Sequence, residues 1–512
     1  MIITFPKIIK FISTILWICC IIELLFFYSV PNAIGCLTFL YAWHLGKKII
    51  LTEGNFIHFP LITLSLFVLL LMYYVFPIFF TLLDGHAVTY RMENPLITFF
   101  YQSLYITSLV ISFIIFRKIY NSNNWLNKLW LHIGIYKSPT IREAVILSAI
   151  GFFAFIYTLL TATNDESNYA GGFVSQLMQN LQSYAYIPIC FLMAGLYFNE
   201  SQRKKYRLYT ILYFSVIIIM AIATSRRSLM VMPIFMAFIL MFLSLILYNK
   251  RYFITKKVFF ITCLCLCILG PLQDMAKAMI YVRVAYRGVD TETLFKKIVD
   301  VYQDKNLLKA IDKSNTFNDA ENYQSGWSET YISNEFMERY CNLKVIDMSI
   351  YYVEKLGYCN RQVTNYTKDY MLALLPTPVL QLLDINLDKK QMGLSPGDYI
   401  YGLYTGNNYL GYFRVFSHVA SGLAIFGLSF FLIMIPFYWI FWILINSITP
   451  ILKGKTFISF VAFLYIYKYA IFYINSGGFY THLSFVFREF WQSIIIYVLL
   501  MFLIRKVLKL SK

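Results

Sequence analysis

The stretch FPLITLSLFVLLLMYYVFPIFFTLL, Phe59–Leu83, runs for 25 residues without a charge. A helix on the surface of a soluble core keeps one polar face, and this stretch has none. An apolar helix of about 20 residues matches the roughly 30 Å hydrocarbon thickness of a bilayer. It therefore reads as a membrane span. Working outward from it, about twelve such runs centre on Phe11–Val30, Ala33–Gly46, Phe59–Leu83, Leu96–Phe116, Ala144–Ala162, Phe173–Phe198, Leu208–Ala223, Leu229–Tyr248, Val258–Leu272, Val415–Ile445, Phe457–Ile474 and Phe490–Val507. Hydrophobic residues make up 59% of the 512 and charged residues only 14%, with a mean hydropathy of +0.61. Polar residues separate neighbouring runs, as helices require if no unsatisfied backbone is to meet lipid. The composition implies an all-α polytopic integral membrane protein.

One hydrophilic stretch, Gln273–Arg414, interrupts the pattern and holds 16 of the 44 Lys/Arg and 17 of the 26 Asp/Glu residues. The chain divides into N-terminal membrane helices at 1–272 (about nine spans), a loop or cap at 273–414, and C-terminal membrane helices at 415–512 (about three spans). The net charge of +18 is a topology signal. Basic residues crowd alternate short connections and both ends, from Lys7 and Lys10 through Arg203–Arg207 to Lys509 and Lys512. The positive-inside rule then puts both termini in the cytoplasm and the near-neutral loop outside. Nucleic acid is excluded as a partner, and the bilayer is the first partner implied. The first span is too long for a signal-peptide core and reads as retained.

Within the loop, Leu294, Ile298, Val301, Leu308 and Ile311, and again Ile332, Phe336, Tyr340, Leu343, Ile350, Val353 and Leu356, recur at helical spacing. The loop is expected to be a partly helical cap over the membrane mouth. Met371–Leu383, broken by Pro376 and Pro378, suits an interfacial segment. Of nine cysteines, only Cys341 and Cys359 lie in the loop. An oxidising compartment permits them to pair, and two free thiols is the alternative.

No Walker loop, dinucleotide fingerprint, HExxH or CxxC occurs, so no cofactor and no metal is expected. With no nucleotide-binding domain, any energy source must arrive built into the substrate. Outward arginines are the next signal: Arg226 and Arg227 at a tight outer turn, Arg283 and Arg287 one helical turn apart, Arg414 and Arg488 at the openings of later spans. A guanidinium fork matches phosphate oxygens, and snorkelling to lipid head groups explains a single such arginine equally well. Candidate general bases are Asp398, His418, His482 and Glu489; a turn cap, interfacial hydrogen bonds and a local Arg488–Glu489 ion pair are their structural alternatives. Tyr401, Tyr404 and Asn407 stand in a Tyr- and Asn-rich stretch suited to sugar faces and edges, or to interface anchoring.

The chain resembles the Wzy-type O-antigen and capsular repeat-unit polymerases. The resemblance rests on the layout of spans and late outer loop, on Thr224-Ser225-Arg226-Arg227, on Leu374-Leu375-Pro376-Thr377-Pro378, and on Gly393–Tyr404. It implies a metal-independent GT-C-like glycosyltransferase of the bacterial inner membrane, with a periplasmic loop. Such an enzyme moves a growing glycan from undecaprenyl pyrophosphate to a hydroxyl of another lipid-linked repeat unit, in lipopolysaccharide or capsule synthesis, with a chain-length regulator as a further partner. The arginines above would then hold pyrophosphate, and one of the four candidate bases would take the acceptor proton. Two readings stand beside it: an O-antigen ligase or other GT-C lipid-glycan transferase, and, from another class, a polysaccharide flippase or transporter.

Overall fold

The computed structural model describes the chain outside residue 1 and positions 121–124, 162–172, 193–196, 199, 224–226, 248–251, 254–270, 272–273, 276, 280, 283–284, 286–290, 312–325, 393–394, 408–413, 453–454, 473–477 and 511–512. Among the described residues, apart from two two-stranded pairings of two residues each, the regular elements are helical. The first half carries α1 (Phe5–Phe26), α2 (Val30–Leu45), α3 (Pro60–Leu83) and α4 (Pro95–Ile119). It continues with α5 (Trp125–Ile133), α6 (Ile141–Thr161), α7 (Glu200–Ala223) and α8 (Arg227–Leu247). The starts follow local chemistry. Ser29 accepts the Asn32 N–H at 3.2 Å and caps α2, and proline stands in the first turns of α1, α2, α3 and α4, where its missing N–H costs nothing. Pro77 inside α3 withholds one N–H and crowds the preceding turn, and the helix widens just before it into a π turn at Leu71–Val75.

Among the described residues five helices are long and apolar enough to cross a membrane: α1, α3, α4, most of α6, and His418–Ser447. Large apolar side chains such as Phe11, Trp17, Leu25, Leu499 and Phe502 face outward, which water would penalise and lipid does not. The chain is an α-helical membrane protein. Several other apolar runs are irregular. Phe173–Phe198 divides into a helix at Phe173–Leu181 and a tight 3₁₀ segment at Gln182–Leu192 around Pro188. That segment packs along α6 so closely that a Cβ on Gly151 would lie 2.2 Å from the Ala185 nitrogen, so only glycine lets the two backbones touch. In the described part of Phe457–Ile474, the short helix Phe460–Leu464 is followed by a π turn at Lys468–Phe472. Val258–Leu272 lies almost wholly outside the described residues.

The hydrophilic stretch folds into α9 (Thr291–Gln303), α10 (Leu343–Leu356), α11 (Arg361–Ala373), α12 (Thr377–Leu382) and α13 (Pro396–Thr405). Leu294, Ile298, Val301, Leu308 and Ile311 bury one shared face, as their spacing predicts. The cap is fastened through α10. Asp347 is fully buried, and its carboxylate accepts from Glu93 N at 2.6 Å, Asn94 N at 3.0 Å and Thr98 Oγ1 at 3.0 Å. Lys344, one turn earlier and also buried, donates to the Arg91 carbonyl and stands 3.8 Å from Glu93. Asn94 Nδ2 donates to Glu354 at 2.8 Å, and Tyr331 donates to the Val88 carbonyl. The cap and the connection between α3 and α4 therefore share one face, at the Pro95 end of α4.

The C-terminal part holds α14 (His418–Ser447), α15 (Gly478–Ser484) and α16 (Phe490–Leu510). A π turn at Phe485–Glu489 joins the last two. α14 packs against α4 in the membrane and against α10 under the cap, so the cap sits on the same helix that carries the buried centre of the bundle.

The loop cysteines do not pair. Cys341 is buried with its thiol 3.7 Å from the Phe76 carbonyl, whereas Cys359 is exposed beyond the far end of α10, and both are free. An intervening helix holds them apart.

Candidate functional site

Three of the four candidate bases, Asp398, His418 and His482, are buried. Asp398 is fully buried in the first turn of α13. Its Oδ1 accepts from the Arg414 backbone N at 3.1 Å and from Arg414 Nη1 at 3.0 Å. The Arg414 guanidinium also lies 4.2 Å over the Tyr401 ring, so this arginine faces inward onto protein. The turn that closes the knot needs Gly397, because a Cβ there would meet the Arg414 carbonyl at 2.5 Å. Glu329, which sequence reasoning passed over, completes it. Glu329 Oε1 accepts from Val415 N at 2.6 Å and from Trp327 Nε1 at 3.0 Å. Burial raises the Glu329 carboxyl above the usual glutamate value, against the opposing pull of those two donors and of Arg414.

His418 and His482 come together, with ring centroids 4.4 Å apart, in an aromatic cage that includes Phe437, Phe441 and Phe479. His418 Nε2 lies 3.3 Å from the Tyr438 hydroxyl, which lies 3.2 Å from that of Tyr105. Both histidines are buried, at 2% and 0% exposure. They form a polar centre within the helix bundle.

Glu489 differs. It closes the π turn Phe485–Glu489, and its partner Lys468 opens the π turn Lys468–Phe472. Single π turns inside helices are frequent at functional sites. The Lys468 Nζ to Glu489 Oε2 distance is 3.3 Å, and the two side chains keep 39% and 31% of their surface. Glu489 thus pairs across to another segment, in place of the local Arg488–Glu489 pair open to the sequence reading. Ser484 Oγ donates to Glu489 Oε1 at 2.8 Å and also meets the Tyr370 hydroxyl of α11. Arg488 is exposed beside it and acts on Tyr370 and on Lys389. Burial first, then the Arg488 charge, pushes the Lys389 amine below the usual lysine value. The Lys389 amine donates to the Leu375 carbonyl.

An aromatic ribbon joins this acidic-basic site to the Asp398 knot. Tyr370 meets Tyr480 at 5.3 Å, Tyr480 meets Tyr366 at 5.8 Å, and Tyr366 stacks on Tyr399 of α13 at 4.1 Å. On the other side of α13, Trp327 stacks on Tyr352 at 5.0 Å, with Tyr401 and Tyr404 edge-on to Tyr352 at 5.3 and 5.1 Å. Tyr401 is buried in this box, while Tyr404 (45% exposed) and Asn407, just past the left-handed Gly406 that ends α13, face solvent.

Of the six arginines singled out, Arg414 and Arg488 are accounted for above. Arg226, Arg283, Arg287 and the side chain of Arg227 lie outside the described residues. Trp327, Glu329, Tyr352, Tyr370 and Lys389 were not singled out from sequence, since each is an ordinary loop residue until the cap folds. Comparison with family models, with curated proteins and with solved structures finds no match.

Proposed function

We propose that the chain is a Wzy-type polymerase that joins undecaprenyl-pyrophosphate-linked repeat units at the periplasmic face of the bacterial inner membrane, with a GT-C-like arrangement of about twelve spans. The observation that carries the reading is Glu489, the one accessible carboxylate among the four candidate bases, held between two π turns, paired with Lys468 and adjoining Arg488 in the chain. In this reading Glu489 takes the proton of the acceptor sugar hydroxyl as its oxygen attacks the donor anomeric carbon. The bond from that carbon to the pyrophosphate oxygen breaks, and the lipid pyrophosphate departs with the electron pair. Arg488 and Lys389 stabilise the charge that develops on it. Lys468 and Ser484 position the base, and Tyr404 and Asn407, exposed at the end of α13, offer a π face and a polar edge to the glycan. The cap confines two lipid-bound substrates at one mouth and supplies proximity.

The test is the polysaccharide ladder of a deletion strain complemented with variants. Loss of long chains with one repeat unit retained supports polymerisation; absence of any repeat on the acceptor instead indicates a ligase or a flippase. Arg488→Ala at normal protein level should shorten chains, and Arg488→Lys should restore them only in part, since a point charge does not reproduce a bidentate fork.

A further inference from the structure

At the Ile119 end of α4, away from the cap, a cavity of about 400 Å³ opens between the turn that ends α5 and the last helix, α16. With a rise of ~1.5 Å per residue, the two ends of α4 stand about 37 Å apart, so this cavity and the cap occupy opposite faces. Its rim is basic: Arg505, Lys506 and Lys509. Arg505 Nε is engaged by Glu143 at 3.0 Å. Lys506 and Lys509 are exposed and have no acidic partner among the described residues. The inner wall holds Tyr497, 2% exposed, whose hydroxyl makes no hydrogen bond among the described residues. Burying a hydroxyl without a partner is costly. The outer wall is apolar, with Phe502 63% exposed toward the lipid-facing side of α16.

We infer that this cavity binds the head group of an anionic phospholipid. The phosphate meets Lys506 and Lys509 at the rim, and an acyl chain runs along Phe502. Basic pockets between membrane helices recognise such head groups by this combination of cations and an adjoining apolar wall. A free phosphate shares the charge but leaves the apolar wall unused.

The test uses the full chain in detergent, with lipid retention read by native mass spectrometry across a titration. Phosphatidylglycerol should bind, while phosphatidylcholine and soluble glycerol phosphate should not. The Lys506→Gln, Lys509→Gln variant should bind phosphatidylglycerol roughly thirtyfold more weakly, from the worth of two basic side chains near anionic lipid. The control Lys118→Gln, Lys128→Gln variant, on the same face outside the cavity, should bind as wild type. Equal affinity in the Lys506, Lys509 variant, or equal loss in the control, overturns the site, and full competition by soluble glycerol phosphate overturns the lipid as its occupant. Should the double variant not accumulate, Phe502→Trp in the otherwise native chain decides. Brominated phosphatidylglycerol should quench the added fluorescence more than brominated phosphatidylcholine, and equal quenching overturns the proposal. None of these readouts depends on the glycan chemistry.

Discussion

Glu489→Gln separates a chemical role from a structural one. The substitution keeps the shape of the side chain and an acceptor for the Ser484 hydroxyl, but removes the charge that faces Lys468 at 3.3 Å. Both partners retain about a third of their surface, and exposed pairs contribute about 0–1 kcal/mol. Stability and protein level should therefore change little. A general base contributes roughly 10²–10⁴ in rate, equivalent to about 3–5 kcal/mol in the barrier. Membranes supplied with lipid-linked repeat units should thus make almost no product longer than one unit, at a protein level within about twofold of wild type by immunoblot. Glu489→Asp, which withdraws the carboxylate by one methylene, should fall between the two. The double variant Glu489→Gln, Lys468→Gln distinguishes the alternatives. If Glu489 only neutralises Lys468, removing both charges restores chain growth; if it takes a proton, the double variant stays inactive. Normal chains from Glu489→Gln, or rescue by the double variant, would falsify the assignment.

Asp347→Ala orphans two backbone N–H groups and the Thr98 hydroxyl beneath the cap. Each unsatisfied buried donor costs about 1–3 kcal/mol, so limited proteolysis should cut 273–414 much faster, with Asp347→Asn intermediate. Unchanged protection would mean that the cap is held elsewhere. Glu329 sets a pH dependence. Its folded pKa is raised by burial above the ordinary value of 4.5, so the folded state holds the proton longer than the unfolded one. Stability is then full below about pH 4.5 and declines as pH rises through the raised value. Melting curves between pH 4 and 7 should show this slope in wild type and lose it in Glu329→Gln; parallel curves would refute it. For the thiols, Cys359 should label rapidly with a membrane-impermeant maleimide while Cys341 stays protected until unfolding. A Cys341–Cys359 bridge in mass mapping would contradict the fold of this region.

The membrane character was legible in residues such as Phe59–Leu83, because uncharged length against bilayer thickness is a property of the chain alone. The periodicity of Leu294, Ile298 and Val301 likewise announced a helix with one buried face, and proline and serine marked several helix starts. Among the described site residues, Glu489, Arg488, Tyr404 and Asn407 were named from sequence and are accessible. What sequence did not determine is which polar groups are spent on the fold. Asp398 and Arg414 lie sixteen residues apart and read alike as outward, reactive groups, yet they satisfy each other because Gly397 lets one turn close on the other's backbone. His418 and His482, read at the mouth, meet inside an aromatic cage because α14 and α15 cross there. Lys468 and Glu489 lie 21 residues apart, and only the packing of two π turns pairs them. Periodicity reports a residue's own helix face. Which face meets which, and hence which charge is neutralised and which stays available, is set by contacts between segments far apart in the chain, and the tertiary structure alone decides it.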